Sequence, residues 1–253
     1  MSTPLERDRR LARLRLERQR QREASRRRAR QRRIVGISLV LVLLVAGLAF
    51  KAVSGGGGSG SASPSASPTP EACAYRGNGT SNPVVTTRPT PPGFGTRRNG
   101  TATMVTNHGT VTFSLLSNDA PCATTSFAFL SAKKFFDGSA CDRLTTGDLQ
   151  FLQCGQPKQG DGAGYEFPDE NLSPTTTYPA GTVAMANRGP DTNSSEFFLC
   201  YGDTQLPPSF TPFGHVTTGL DVLTAIAKAG ATPSGDGKPN TTTTIVSIRT
   251  SGT

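Results

Sequence analysis

The sequence predicts a mainly β domain, a closed antiparallel barrel capped by two helices, carried behind one transmembrane helix and a disordered linker. Three observations predict this. From about residue 101 onward, short alternating apolar runs are separated by Gly-, Pro- and Asn-rich turns, the pattern of half-buried strands. Only two stretches of that region, 121–134 and 220–228, read as helices. Upstream, Ile34–Phe50 is an apolar run without charge, and about 17–20 such residues cross a bilayer as a helix.

The elements follow in order. Residues 1–33 form a basic arm with 14 of the 27 basic residues and 4 of the 18 acidic ones. Beyond Lys51 the chain has 12 basic and 14 acidic residues, so the basic pI describes the arm and not the body. No aromatic residue interleaves the arginines, so base stacking is not indicated and no nucleic-acid partner is expected. A basic arm suits anionic headgroups, where each basic residue contributes about 1 kcal/mol; an arm for a cytoplasmic partner is the alternative.

Residues 34–53 are read as a membrane-spanning helix in contact with the lipid bilayer. The preceding arginines keep the N-terminus cytoplasmic and send everything after residue 53 outside. A cleaved signal peptide competes, because Ala52-Val53-Ser54 has small residues at suitable spacing; the long leader and long apolar run favour an uncleaved anchor. Residues 54–98 read as a linker, Gly/Ser-rich and then Ser/Pro-rich, unable to bury apolar area. Within it, Cys73 and Tyr75 suggest that part lies on the folded body.

The folded domain is assigned to residues 99–253, ample for one core. Thr103–Thr106, an Asn107-His108-Gly109 turn and Thr110–Leu116 read as a hairpin, with Val111, Phe113 and Leu115 on one face. Pro121–Lys134 reads as a helix with proline in its first turn and Phe127 and Leu130 inward. Leu220–Lys228 is a second helix stopped by Gly230, and Ile245–Ile248 a closing strand.

Met185–Phe198 is the most informative segment. Gly189 and Pro190 supply turn chemistry, and Asn193 tolerates unusual backbone angles. Phe197 and Phe198 are adjacent in a strand, so they face opposite ways and one can floor a surface outside the core. Other pieces recur in order: Ala120-Pro121-Cys122 with Ser126-Phe127, Phe136-Asp137-Gly138, Cys141-Asp142-Arg143-Leu144, Phe151-Leu152-Gln153-Cys154-Gly155, Phe167-Pro168-Asp169-Glu170-Asn171 and Phe213-Gly214-His215-Val216. Together these resemble the cyclophilin family of peptidyl-prolyl cis-trans isomerases over about residues 101–250. The flavour is similar to exported cyclophilins of high-GC Gram-positive bacteria.

The resemblance implies an eight-stranded cyclophilin-like barrel and catalysis without a cofactor. It places Arg143 as the catalytic arginine and Phe198 as the floor of a proline pocket, with Phe151, Leu206 and Phe210 as walls. Gln153 would bind the substrate backbone, and Ala186 and Asn187 would offer main-chain groups to an extended peptide. The plain alternatives are core packing for the three phenylalanines, a solvated charge for Arg143 and a turn cap for Asn187.

Several positions depart from the family pattern. About two extra residues lie between Arg143 and Gln153. Glu196 stands where glutamine is usual, near Arg143, and either pairs with or orients it. Phe210 stands where histidine is common, and Gln205 where a tryptophan contacts cyclosporin, so weak cyclosporin binding is expected.

Five cysteines in an exported chain imply up to two disulfides and one leftover thiol. Cys122–Cys141 is the first expected pair and Cys73–Cys154 the second, with Cys200 buried and free. With two histidines and no Cys-x-x-Cys, a zinc site or Ser-His-Asp triad lacks its parts; Ser194-Ser195 has no base nearby in the motif. The expected function is isomerisation of X-Pro bonds in proline-containing polypeptides outside the cell membrane. A low-activity module that only binds proline segments is the alternative.

Overall fold

Alternation of apolar residues sets the strands. The computed structural model describes residues 73–92, 99–172 and 175–252. The basic arm, the apolar segment 34–53 and the linker up to residue 72 lie outside the described residues. Among the described residues no helix is long and apolar enough to cross a membrane.

β1 (Arg76–Gly77) precedes the hairpin of β2 (Thr101–Thr106) and β3 (Gly109–Leu115). β2 buries Ala102 and Met104, and β3 buries Val111, Phe113 and Leu115. α1 (Pro121–Ala132) follows, then β4 (Ala140–Cys141), β5 (Arg143–Thr145), β6 (Phe151–Cys154), β7 (Tyr165–Glu166), β8 (Thr177–Tyr178), β9 (Thr182–Met185), β10 (Phe197–Cys200), β11 (Thr204–Gln205) and β12 (Pro212–Thr218). α2 (Leu220–Lys228), β13 (Ala231–Thr232), β14 (Asp236–Pro239) and β15 (Thr243–Ser251) complete the chain.

The main sheet is antiparallel, in the order β13-β14-β5-β6-β10-β9-β12-β3-β2-β15-β4. Its last strand, β4, is one residue from β5 in the chain, so the sheet curls back on itself. A closed eight-stranded barrel was expected; the sheet curls round until β4 and β5, parted only by Asp142, pair with β15 at one end and β6 at the other. β14 adds to the remaining edge of β5 through Asp236↔Thr145 and Gly237↔Leu144.

α1 plugs the curled sheet. Phe127 lies 5.2 Å from Phe213, 5.3 Å from Phe197 and 5.6 Å from Phe113 between ring centroids. Burying one such ring contributes about 1.5–3 kcal/mol. The helix ends two residues before the expected Lys134, which takes a left-handed φ of 56°. Its own N-cap, Ala120, offers no side-chain acceptor. The buried Glu170 supplies it from a distant loop, its two oxygens accepting from the Cys122 and Ala123 amides at 2.9 Å each. A carboxylate there satisfies two orphan donors and complements the helix dipole.

Two expectations need correction. First, residues 73–92 of the segment assigned to the linker belong to the body, as Cys73 and Tyr75 suggested for part of it. Cys73 and Tyr75 are buried, and the Tyr75 hydroxyl donates to Cys122 O at 2.9 Å. Second, the four expected cysteines are bridged, but as Cys73–Cys122 and Cys141–Cys154. Strand register explains the second bridge: Arg143 faces Gln153, so the residues just outside that pair, Cys141 and Cys154, meet with Cα atoms 4.1 Å apart. The first follows from docking of Tyr75 beside the start of α1. By chain entropy, sequence separations of 13 and 49 residues correspond to about 3 and about 4 kcal/mol of stabilisation. Cys200 is free and buried, as expected.

Replacing Glu170 with Ala leaves two buried helix amides without their acceptor. Urea titration is expected to show a loss of about 1–3 kcal/mol; an unchanged midpoint would mean the cap is dispensable.

Candidate active site

β10 divides its aromatics between two environments. Phe197 enters the main core with Phe127, Phe136 and Phe213. Phe198 points the other way, into a second cluster with Phe151, Tyr178, Ala184 and Cys200. Around it, the Phe151 ring lies 5.0 Å away and the Phe210 ring 5.5 Å away at 87°. Leu206 and Ala186 pack on the same cluster.

Register aligns the polar residues with this slot. Arg143 on β5 pairs with Gln153 on β6, Gln153 with Phe198 on β10, and Phe198 with Ala184 on β9. Residues directly opposite in a sheet share a face, so these four form one row across four strands. Two strand spacings, about 10 Å, separate the Arg143 and Phe198 backbones. The arginine side chain reaches back, its guanidinium carbon 5.2 Å from the Phe151 ring centre.

The guanidinium is held on two sides. Nε and Nη2 donate to the two carboxylate oxygens of Asp236 at 2.8 and 2.9 Å, a bidentate pair. Nη1 donates to Gln153 Oε1 at 3.2 Å. Of five N–H groups, two remain, one on each terminal nitrogen. The hydrogen bond from Arg143 holds the Asp236 carboxyl below the usual aspartate value, and Asp236 in turn raises Arg143.

Glu196 does not bond to Arg143. Its Oε2 accepts from Gln153 Nε2 at 2.7 Å and its Oε1 from Gln156 Nε2 at 2.7 Å, with Arg188 Nη2 3.6 Å away. A carboxylate only accepts, so it fixes which end of the Gln153 amide faces it. The carbonyl end is thereby turned to Arg143. Of the two roles weighed for Glu196, orientation is the one the contacts serve, through Gln153.

All nine residues singled out in the sequence line one cavity of about 460 Å³: Arg143, Phe151, Gln153, Ala186, Asn187, Glu196, Phe198, Leu206 and Phe210. Two contribute differently from expectation. The Ala186 amide is already donated to Glu196 O, so that donor is not open to a peptide. The Asn187 side chain ties loops together, donating to Ser209 O at 2.7 Å and Asp169 Oδ1 at 3.3 Å and accepting from the Gly189 amide.

Sequence reasoning missed several residues. Asp236 lies 93 positions from its partner, and no local spacing points to it. Tyr178 pins the loop carrying Leu206 and Phe210: its hydroxyl donates to Pro207 O or Phe210 O and accepts from the Phe210 amide. Burial raises its pKa, so it remains a neutral phenol. Leu149, from the longer loop between β5 and β6, lines the slot as well. Burial pushes the Cys200 thiol up to about 12, which keeps it unreactive. Cys73, Cys122 and Glu170 lie together, but the two sulfurs are bonded to each other and the carboxylate caps α1, so they are no ligand set.

Comparison with known proteins agrees with this geometry. The model of the family "Cyclophilin type peptidyl-prolyl cis-trans isomerase/CLD" matches residues 101–250. A "Probable peptidyl-prolyl cis-trans isomerase B" of Mycobacterium tuberculosis is 47% identical over 162 residues, covering 57% of this chain and 52% of that protein. Its Mycobacterium leprae counterpart is 44% identical over 164 residues, covering 58% and 56%. The chain thus spans about half the length of these curated relatives. Among solved structures, a cyclophilin type peptidyl-prolyl cis-trans isomerase of Cryptosporidium parvum superposes with a TM-score of 0.54 at 26% identity, covering 62% of this chain and 99% of that one. The matched family model spans the sheet, both helices and the row from Arg143 to Phe198, and the chain belongs to the cyclophilin-type peptidyl-prolyl cis-trans isomerase family.

Proposed function

We propose that the chain catalyses cis-trans isomerisation of X-Pro bonds in proteins outside the cytoplasmic membrane, anchored there by residues 34–53. The observation that carries the catalytic reading is the row itself: a guanidinium with two free N–H groups beside an aromatic slot floored by Phe198. A second structure of the Cryptosporidium protein was determined in the presence of the dipeptide Ala-Pro, with a TM-score of 0.52, which supports proline peptides as the ligand class. The membrane and export reading rests on the apolar run and its basic flank.

Amide resonance gives the X-Pro bond a barrier of about 18–20 kcal/mol. An N–H directed at the prolyl nitrogen binds its lone pair only when that nitrogen turns pyramidal, so the contact stabilises the twisted state over the planar ones. Asp236 and Gln153 hold the guanidinium so that little reorganisation is needed at that moment. The slot removes the proline ring from water and supplies binding. No cofactor enters this scheme.

The alternative, a module that binds proline segments with little turnover, draws on the Asp236 pair, which offsets the charge Arg143 would bring to the substrate. Exchange spectroscopy on an X-Pro peptide decides between them. The wild-type chain is expected to accelerate exchange, and Arg143→Ala to lower kcat/KM about 10- to 100-fold, the worth of one hydrogen bond to a charged group of about 1.5–3 kcal/mol. Equal inactivity of both, with peptide still bound, would establish the module.

Asp236→Asn removes the charge from the pair. Its stability deficit relative to wild type is expected to be fully present above the ordinary aspartate value of 3.8 and to shrink as pH falls through the lower folded-state value. Chemical denaturation from pH 7 to pH 3 reads this directly; a deficit unchanged at low pH would show that the carboxylate's charge is not what matters.

Weak cyclosporin binding also follows. Gln205 is exposed and bonded to the Thr176 and Thr177 side chains, and it does not line the cavity. Calorimetry is expected to give a Kd above about 10 μM, weaker than about −7 kcal/mol; nanomolar binding would refute it.

A further inference from the structure

The cavity continues past Gln153 and Glu196, and its far wall comes from outside the residues the family model matches. Asn78 and Thr80 line it, whereas the family match begins at residue 101. This wall is firmly built. Arg76 and Gly77 pair with Glu166 and Tyr165, and the Cys73–Cys122 bridge anchors the segment to α1. Asn78 Nδ2 donates to Tyr165 O at 3.2 Å, the Gly164 amide to Thr80 Oγ1 at 2.9 Å, and the Ser81 amide to Asp161 Oδ1 at 2.6 Å. The facing loop approaches so closely that a Cβ at Gly160 or Gly162 would collide with Ser81 or Thr80. Segment and loop therefore move as one piece.

The chemistry of this half is rich in acceptors. The half-buried Glu166 carboxylate lines the cavity and has no hydrogen bond or ion pair among the described residues. Gln156 gives its Nε2 to Glu196 and retains its carbonyl oxygen. Asp161, Glu166 and Glu196 face one arginine, Arg188, since the charge of Arg143 is met by Asp236. Arg76, the register partner of Glu166, is exposed and forms no ion pair with it among the described residues.

We propose that the segment Cys73–Asn82 is part of the substrate-binding surface, and that with Glu166 it selects a lysine or arginine side chain near the target proline. The proposal rests on the isomerase reading for what the neighbouring slot holds. A peptide seated there runs on into the acceptor-rich half within a few residues, at about 3.3–3.6 Å per residue extended. The selecting group is a carboxylate placed where a cationic side chain can reach it without full desolvation.

The test uses the full chain and proline peptides with Lys, Leu or Glu at each of three positions on either side of the proline. Exchange spectroscopy gives kcat/KM, and fluorescence anisotropy gives Kd. At one position the Lys peptide is expected to exceed the Leu peptide about fivefold in both, the scale of a partly exposed ion pair. Glu166→Gln should bring that ratio near one. Asn78→Asp keeps the acceptor for the Thr80 amide, loses the donor to Tyr165 O, and should raise it about threefold. Opposite shifts from two elements are not what a merely structural role would give. A ratio near one at every position, or variants that lower all peptides equally, would overturn the proposal. Should no peptide show catalysed exchange, the isomerase reading falls, and the Kd ratios alone decide whether this wall selects.

Discussion

The clamp that Asp236 and Gln153 place on Arg143 is the interaction on which the site depends. Without it the arginine is a long, half-exposed side chain at a sheet edge, free to point into solvent. The pairing of β14 with β5 is what brings Asp236 beside the arginine.

Polar order propagates from there. Asp236, Arg143, Gln153, Glu196 and Gln156 form a continuous chain of side-chain hydrogen bonds. Glu196 sits between Gln153 and Gln156 as a pure acceptor, which leaves Gln153 a single orientation. A neutral amide at position 196 would leave that orientation less determined. The departure from the family pattern at this position therefore stiffens the network around the arginine and does not quench it.

Much of this was legible in the sequence, and the reasons are physical. Adjacent phenylalanines in a strand must face opposite ways, so one of Phe197 and Phe198 leaves the core, and the family resemblance pointed to Phe198. The hairpin alternation and both helices followed from local periodicity. The residues that resisted reading are those fixed by long-range contact. Asp236 is far in sequence from Arg143, and Glu170 caps a helix 47 and 48 residues away. The cysteine partners depended on a register that spacing did not reveal until Arg143 was set opposite Gln153. Residues 73–92 looked like linker by composition, yet one disulfide, one buried tyrosine and the side-chain amides of Asn78 and Asn82 hold them to the body.

The central claim is that a proline ring enters the slot over Phe198 while its nitrogen faces Arg143. Intermolecular nuclear Overhauser contacts between a bound X-Pro peptide and the protein test it most directly. The account predicts contacts from the proline ring protons to the aromatic protons of Phe198 and Phe210. Proline contacts confined to another surface, with none to these rings, would contradict it.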